Sequence, residues 1–264
     1  MSETDGESLT PGIPEQRGGP RPADAPEPAA PERVMSIHAH PDDQEFTVGG
    51  TLAKWAKAGS RIVTVCLTNG SAGSNQWTPK DMTRAALGVI REEEQRQACR
   101  VLGIPEVIFL GYEDGMLEPS IPLRRALTRL IRIHKPTVVV CGDPTVRYYG
   151  NVYLNHPDHR AASDVALDAV FPSAQTRLIF PELLDEGLEP HHVESVWIHG
   201  ADRPDTWVDI RELLPLKLAA LREHKTQMGE WDPAEMITEW AREQGRKRKL
   251  DAAETYRVMR LMEM

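Results

Sequence analysis

Cysteine is scarce, with three in 264 residues. Cys66, Cys99 and Cys141 are odd in number, far apart and set in apolar segments. That excludes a disulfide-stapled scaffold and fits free thiols of a reducing compartment. No apolar run approaches the roughly 20 residues that cross a bilayer, so membrane insertion is not expected. The acidic start Met1–Asp5 lacks the apolar core of a signal peptide, and a cytoplasmic protein is expected. Positive charge is in deficit, 31 basic against 40 acidic side chains for a net charge of −9, which argues against a nucleic-acid module. Gly49-Gly50 opens a helix after a strand, but the G-x-G-x-x-G pattern is missing and dinucleotide binding is excluded. Arg246–Lys249 reads as a solvated helix edge within an acidic remainder. What is present is an ordinary globular composition, 40% hydrophobic, long enough to bury one large core.

That core does not begin at the first residue. Residues 1–33 hold seven of the 21 prolines, no aromatic residue and seven acids against three bases. Such a stretch cannot offset its ordering entropy, and a disordered tail is expected ahead of a domain over 34–264. From Val34 short apolar strands alternate with helices. The pattern predicts strands at Val34–Ala39, Arg61–Leu67, Val107–Leu110 and Thr137–Cys141. Helices are predicted at Thr47–Ala58, Asp81–Leu102 (closed by Gly103 at C′), Leu123–His134 and Ala161–Val170. Further on, strands are read at Leu178–Phe180 and Val193–His199. The last three helices are read at Glu212–His224, Ala234–Gln244 and Ala252–Met262. The fold class is α/β, Rossmann-like, a mostly parallel sheet with helices on both faces. With a strand order 3-2-1-4-5, the loops after strands one and four face one crevice at the carboxyl ends of the strands, where ligands bind.

Those two loops carry the chemistry. The first reads His38-Ala39-His40-Pro41-Asp42-Asp43-Gln44-Glu45, and the second ends Asn155-His156-Pro157-Asp158-His159-Arg160. A catalytic zinc takes three nitrogen or oxygen ligands and keeps one position open. His40, Asp43 and His159 supply two imidazoles and a carboxylate. Asp42, beside a ligand, is placed to take a proton from the attacking water. His156 precedes His159 by one helical turn and could reach a substrate oxygen.

The string A-H-P-D-D-Q-E-F with G-G-T-L-A resembles the opening of the LmbE/PIG-L deacetylases. The likeness continues through Leu67–Gly73, Arg91-x-x-Glu94-x-x-x-Ala98-x-x-x-Leu102-Gly103, Gly111–Gly115, His156–His159 and Lys217–Gln227, where H-K-T-Q stands for H-x-S-Q. The resemblance implies zinc held by His40, Asp43 and His159, with Fe²⁺ also suited to the set. It implies Asp42 as general base, His156 at the oxyanion and Arg91 near the acetyl group or sugar. Asp114 is a further candidate substrate contact, although turn chemistry accounts for it as well. It also implies a homo-oligomer and a small amino-sugar substrate, with no nucleic acid. Trp77, in the Thr68–Lys80 loop, could cover a sugar face.

The expected activity is therefore a zinc-dependent hydrolase that removes the N-acetyl group of a GlcNAc-type conjugate and releases acetate. The alternatives are an amidase of a larger thiol or sugar conjugate, and a metal-free carbohydrate-binding relic. His38-x-His40-x-Asp42 also spells the opening of metallo-β-lactamase-like hydrolases, but Asp43 stands where that pattern continues with histidine. His38 itself reads as a hydrogen-bonded strand residue, adding at most a donor behind the ligands.

Overall fold

The structure is a computed structural model that describes residues 27–262. Most of the expected tail, residues 1–26, thus lies outside the described residues. Strands are β1 (Arg33–His38), β2 (Arg61–Thr68), β3 (Glu106–Tyr112), β4 (Val138–Gly142), β5 (Tyr148–Tyr149), β6 (Tyr153–Leu154), β7 (Ser195–His199), β8 (Thr206–Asp209) and β9 (Ala253–Arg260). Helices are α1 (Asp43–Thr47), α2 (Gly49–Lys57), α3 (Arg84–Leu102), α4 (Ile121–His134), α5 (Pro157–Asp168), α6 (Glu182–Asp185), α7 (Leu214–Leu221), α8 (Lys225–Met228) and α9 (Ala234–Arg246).

Seven strands form one sheet in the order β3-β2-β1-β4-β7-β9-β8, and β5 pairs with β6 in a separate hairpin. The first five are parallel neighbours, and β9 runs antiparallel to both β7 and β8. The predicted 3-2-1-4-5 core is therefore present, with β7 as its fifth strand. Successive side chains of β1 point to opposite faces. Met35 and Ile37 join a core with Leu123, Leu127 and Val165 of α4 and α5, while Val34 joins Leu52, Trp55, Ala98 and Leu102 of α2 and α3. Both faces of the sheet are covered. No helix among the described residues is long and apolar enough to cross a membrane.

Four expectations need correction. Ala252–Met262 is not a helix but contains strand β9. Its alanine, glutamate, methionine and arginine favour a helix, yet the open edge of β7 supplies a ladder that outweighs propensity. Leu178–Phe180 is a turn, not a strand. Strand β8 and the β5–β6 hairpin are too short to register in the pattern. The helix expected over Thr47–Ala58 is α2, which starts two residues later because Val48 (φ −126°, ψ 5°) separates it from the short α1. Helix α3 starts three residues later than expected, at a Thr83 cap whose hydroxyl accepts the Ala86 amide, and it ends at Gly103 as expected with φ +80°.

Candidate metal centre and active site

The chain leaves β1 at His38 and is pinned beyond the strand end by Thr68, whose amide and hydroxyl both donate to the Ala39 carbonyl at 2.9 Å. Asp43 then folds back, its Oδ2 accepting the His40 amide at 2.9 Å. This turn presents His40 and Asp43 to the same side. Across the crevice, β4 and the β5–β6 hairpin deliver Asn155 and the first turn of α5, which carries His156 and His159. His40 Nδ1 lies 3.5 Å from Asp43 Oδ2, and His159 Nε2 lies 3.0 Å from Asp43 Oδ1. The donor atoms of these three residues all fall within 4.8 Å of one another.

The tautomers follow from the outer partners. His40 Nε2 faces Asp114 Oδ1 at 3.0 Å and Asp158 Oδ2 at 3.2 Å, so it carries the proton and leaves Nδ1 free toward Asp43. His159 Nδ1 donates to Asn155 Oδ1 at 3.1 Å, leaving Nε2 free. Burial pushes the Asp43 carboxyl up, but His159 and His40 outweigh it and hold it well below the usual range. Burial likewise opposes charge on His40, yet Asp43, Asp114 and Asp158 raise its pKa well above the usual imidazole value. His159 is raised by Asp43 in the same way, against its own burial. Protons on the imidazoles thus balance the carboxylates, and a divalent cation that displaces them suits the same donors. A second grouping, His40 with His156 and Asp158, is also compact. It fits a cation less well, because Asp158 already accepts from the amides of Gly115 and Leu117 and from His40.

Asp42 sits beside this cluster in a backbone conformation that L-residues avoid, φ +89°. Its amide donates to Gln95 Oε1 at 2.9 Å, and its carbonyl accepts from the Glu45 and Phe46 amides at the start of α1. Arg91 Nη2 donates to the Pro41 carbonyl at 2.7 Å and to Asp42 Oδ2 at 3.1 Å. Burial raises the Asp42 pKa above the usual carboxylate value; Arg91 and His224 oppose the shift without cancelling it.

Of the expected substrate contacts, Arg91 and Asp114 are both buried. Arg91 is clasped by the Gly70 carbonyl at 2.7 Å, and a Cβ on Gly70 would stand 2.4 Å from its guanidinium. Asp114 accepts from the Ala72 amide at 2.6 Å as well as from His40. Its pKa is pulled down to about 2, the bond to His40 leading the causes that outweigh burial. His156 is different, with 41% of its side chain exposed. Its Nδ1 accepts the Asp158 amide at 3.2 Å, so Nε2 bears the proton. Burial, followed by the neighbouring His40, lowers its pKa. Trp77 is partly exposed and packs on Gly229. His38 bonds Ser36 Oγ at 2.7 Å and stacks on His199, apart from the ligand atoms, so the H-x-H-x-D reading has no support.

Asn155, Asp158 and Gln95 are site residues for which the sequence pattern implies no role. Asn155 and Asp158 stand within the second loop, and their places one helical turn before His159 and directly before it were the available signal. Gln95 had none, because its partner is a backbone amide 53 positions away.

Comparison with known proteins accords with this geometry. Residues 35–170 match the family model described as PIG-L: GlcNAc-PI de-N-acetylase. The chain is 30% identical over 207 residues to a diacetylchitobiose deacetylase of Thermococcus kodakarensis, covering 76% of this chain and 74% of that one. It is 29% identical over 252 residues to a 1D-myo-inositol 2-acetamido-2-deoxy-alpha-D-glucopyranoside deacetylase of Saccharopolyspora erythraea, covering 76% and 80%. Among solved structures, the N,N'-diacetylchitobiose deacetylase of Pyrococcus horikoshii superposes with a TM-score of 0.79 at 30% identity, covering 87% of this chain and 84% of its own. The family match spans both loops that carry the candidate metal ligands, and the chain belongs to the PIG-L (LmbE) family.

Proposed function

We propose that the protein is a metal-dependent N-deacetylase that hydrolyses the acetamide of a GlcNAc-type conjugate to acetate and a free amine. The observation that carries this reading is the convergence of His40, Asp43 and His159 beside Asp42, with His156 open to an incoming substrate. Two imidazoles and a carboxylate suit Zn²⁺, with Fe²⁺ as the second choice. Bound there, the cation would polarise the amide carbonyl and lower the pKa of water.

The chain's own groups do the remaining work. Asp42 accepts a proton from water as the water oxygen attacks the acetyl carbon, its raised pKa suiting both uptake and release. His156 donates through Nε2–H to the carbonyl oxygen as negative charge develops there. The proton delivered to the leaving nitrogen is the one Asp42 took. The carbon–nitrogen bond breaks and the amine departs. Asp114, Asp158 and Asn155 hold the two ligand imidazoles in their working tautomers.

The metal-stripped protein should be assayed for acetate release from N-acetylglucosaminyl conjugates, N,N'-diacetylchitobiose among them, before and after Zn²⁺ or Fe²⁺ is restored. Restored turnover on at least one is expected. Hydrolysis confined to larger amide conjugates would favour the amidase alternative. Silence across the panel at full metal loading would overturn the reading.

A further inference from the structure

The segment from His224 to Gly229 grips three parts of the molecule at once. His224 Nε2 meets Glu45 Oε2 at 3.1 Å, with both side chains fully buried. Thr226 gives Glu94 two bonds, from its amide at 2.8 Å and from its hydroxyl at 2.6 Å. Gln227 donates to the Gly73 carbonyl at 2.7 Å, and Asn75 donates to the Thr226 carbonyl at 2.8 Å. Trp77 lies so close to Gly229 that a Cβ there would stand 2.2 Å from the indole.

The partners of this segment lead back to Asp42. Arg91, Glu94 and Gln95 occupy one face of α3 at i, i+3 and i+4. Arg91 holds the Gly70 carbonyl, Glu94 holds Thr226, and Gln95 holds the Asp42 amide. Gly73 is wedged between the two sides. A Cβ on it would stand 2.2 Å from Arg91 Nη1 and 3.3 Å from Gln227 Oε1. Glu94 is a buried carboxylate, and both its oxygens are committed to Thr226. Its charge therefore strengthens that pair of bonds.

We infer that Glu94 and Thr226 are positioning residues for the reaction: they hold the loop around Gly70–Asn75 against Arg91, and through Arg91 fix the Asp42 carboxylate. The inference rests on the reading of Asp42 as the base. Neither residue touches the ligand cluster, so loosening the strap leaves the metal in place and misdirects the base.

Thr226→Val removes the hydroxyl and keeps the shape, whereas Thr226→Ser keeps the hydroxyl. Turnover and the Michaelis constant on N,N'-diacetylchitobiose, bound metal, and hydrogen exchange of the amides in residues 69–80 should be measured for both. In Thr226→Val, kcat should fall roughly tenfold, as loss of a bond to a charged group allows, with KM little changed. Metal should stay stoichiometric and exchange around Ala72 and Gly73 should quicken. Thr226→Ser should restore kcat to within about threefold and restore protection. Unchanged exchange in Thr226→Val, unchanged kcat, or a serine variant as impaired as the valine one would each overturn the inference. If the unaltered protein releases no acetate, the base reading fails, and the exchange arm still decides whether the strap holds the loop.

Discussion

Asparagine at position 42 separates the base from the ligand at two adjacent aspartates. Asp42→Asn preserves size and can still accept from Arg91 through Oδ1, but it cannot take a proton at neutral pH. The backbone there sits at φ +89°, a conformation asparagine tolerates better than most residues. The turn should therefore survive. The loss is the negative charge facing Arg91, a buried pair at 3.1 Å. Arg91 keeps its bonds to the Gly70 and Pro41 carbonyls, so the stability cost should lie below the roughly 3–5 kcal/mol of a fully broken buried pair. Turnover should fall by about 10²–10⁴, the usual worth of a general base. KM should change little, because the interaction lost is one made in the transition state. Asp43→Asn should show the opposite pattern, losing metal because a neutral amide is a poor ligand. Metal content by mass spectrometry, read beside kcat and KM, decides between them. Metal lost from Asp42→Asn but kept in Asp43→Asn would refute the assignment of both residues.

Asn155→Ala removes the acceptor that fixes the His159 tautomer and should weaken metal affinity by about 10–100-fold, measured by chelator competition. Glu254 is buried against Lys217 Nζ at 2.6 Å and accepts the Gly50 and Thr51 amides at the start of α2. Glu254→Ala should cost about 3–5 kcal/mol, seen as a lower denaturant midpoint, and a change under about 1 kcal/mol would mean that the pair is dispensable. His38, buried and held to about 4 from the ordinary 6.5, is neutral in the fold but protonates in the unfolded chain below 6.5. The unfolded state thus binds more protons as pH falls from 6.5 toward 4, and stability should drop by about 2 kcal/mol at pH 5 from this group alone. His38→Asn should flatten that slope. Deleting residues 1–26 should leave the thermal midpoint and turnover unchanged. Deleting one residue further removes Glu27, which pairs with Lys54 at 2.6 Å, and should lower the midpoint measurably.

The local pattern determined a good deal. Short β-branched runs between capped helices specify parallel strands, because only a sheet covered on both faces buries them. That alone put the loops after β1 and β4 at one crevice, and the ligand-type side chains in those loops marked the candidate metal centre. What failed did so where a long-range partner decides. The residues of β9 have helix-forming chemistry, and only the unpaired edge of β7 makes them a strand. The supporting residues were hidden for the same reason. Asp114 and Arg91 have the chemistry of substrate contacts, and nothing local says that one will lie under His40 and the other between Gly70 and Asp42. Gln95, Glu94 and Thr226 act through backbone groups of distant loops, and backbone amides and carbonyls are alike at every position of a sequence. Side-chain type marks the atoms that hold a metal or move a proton. Tertiary packing alone decides which tautomer, which backbone strain and which strap keep those atoms in place.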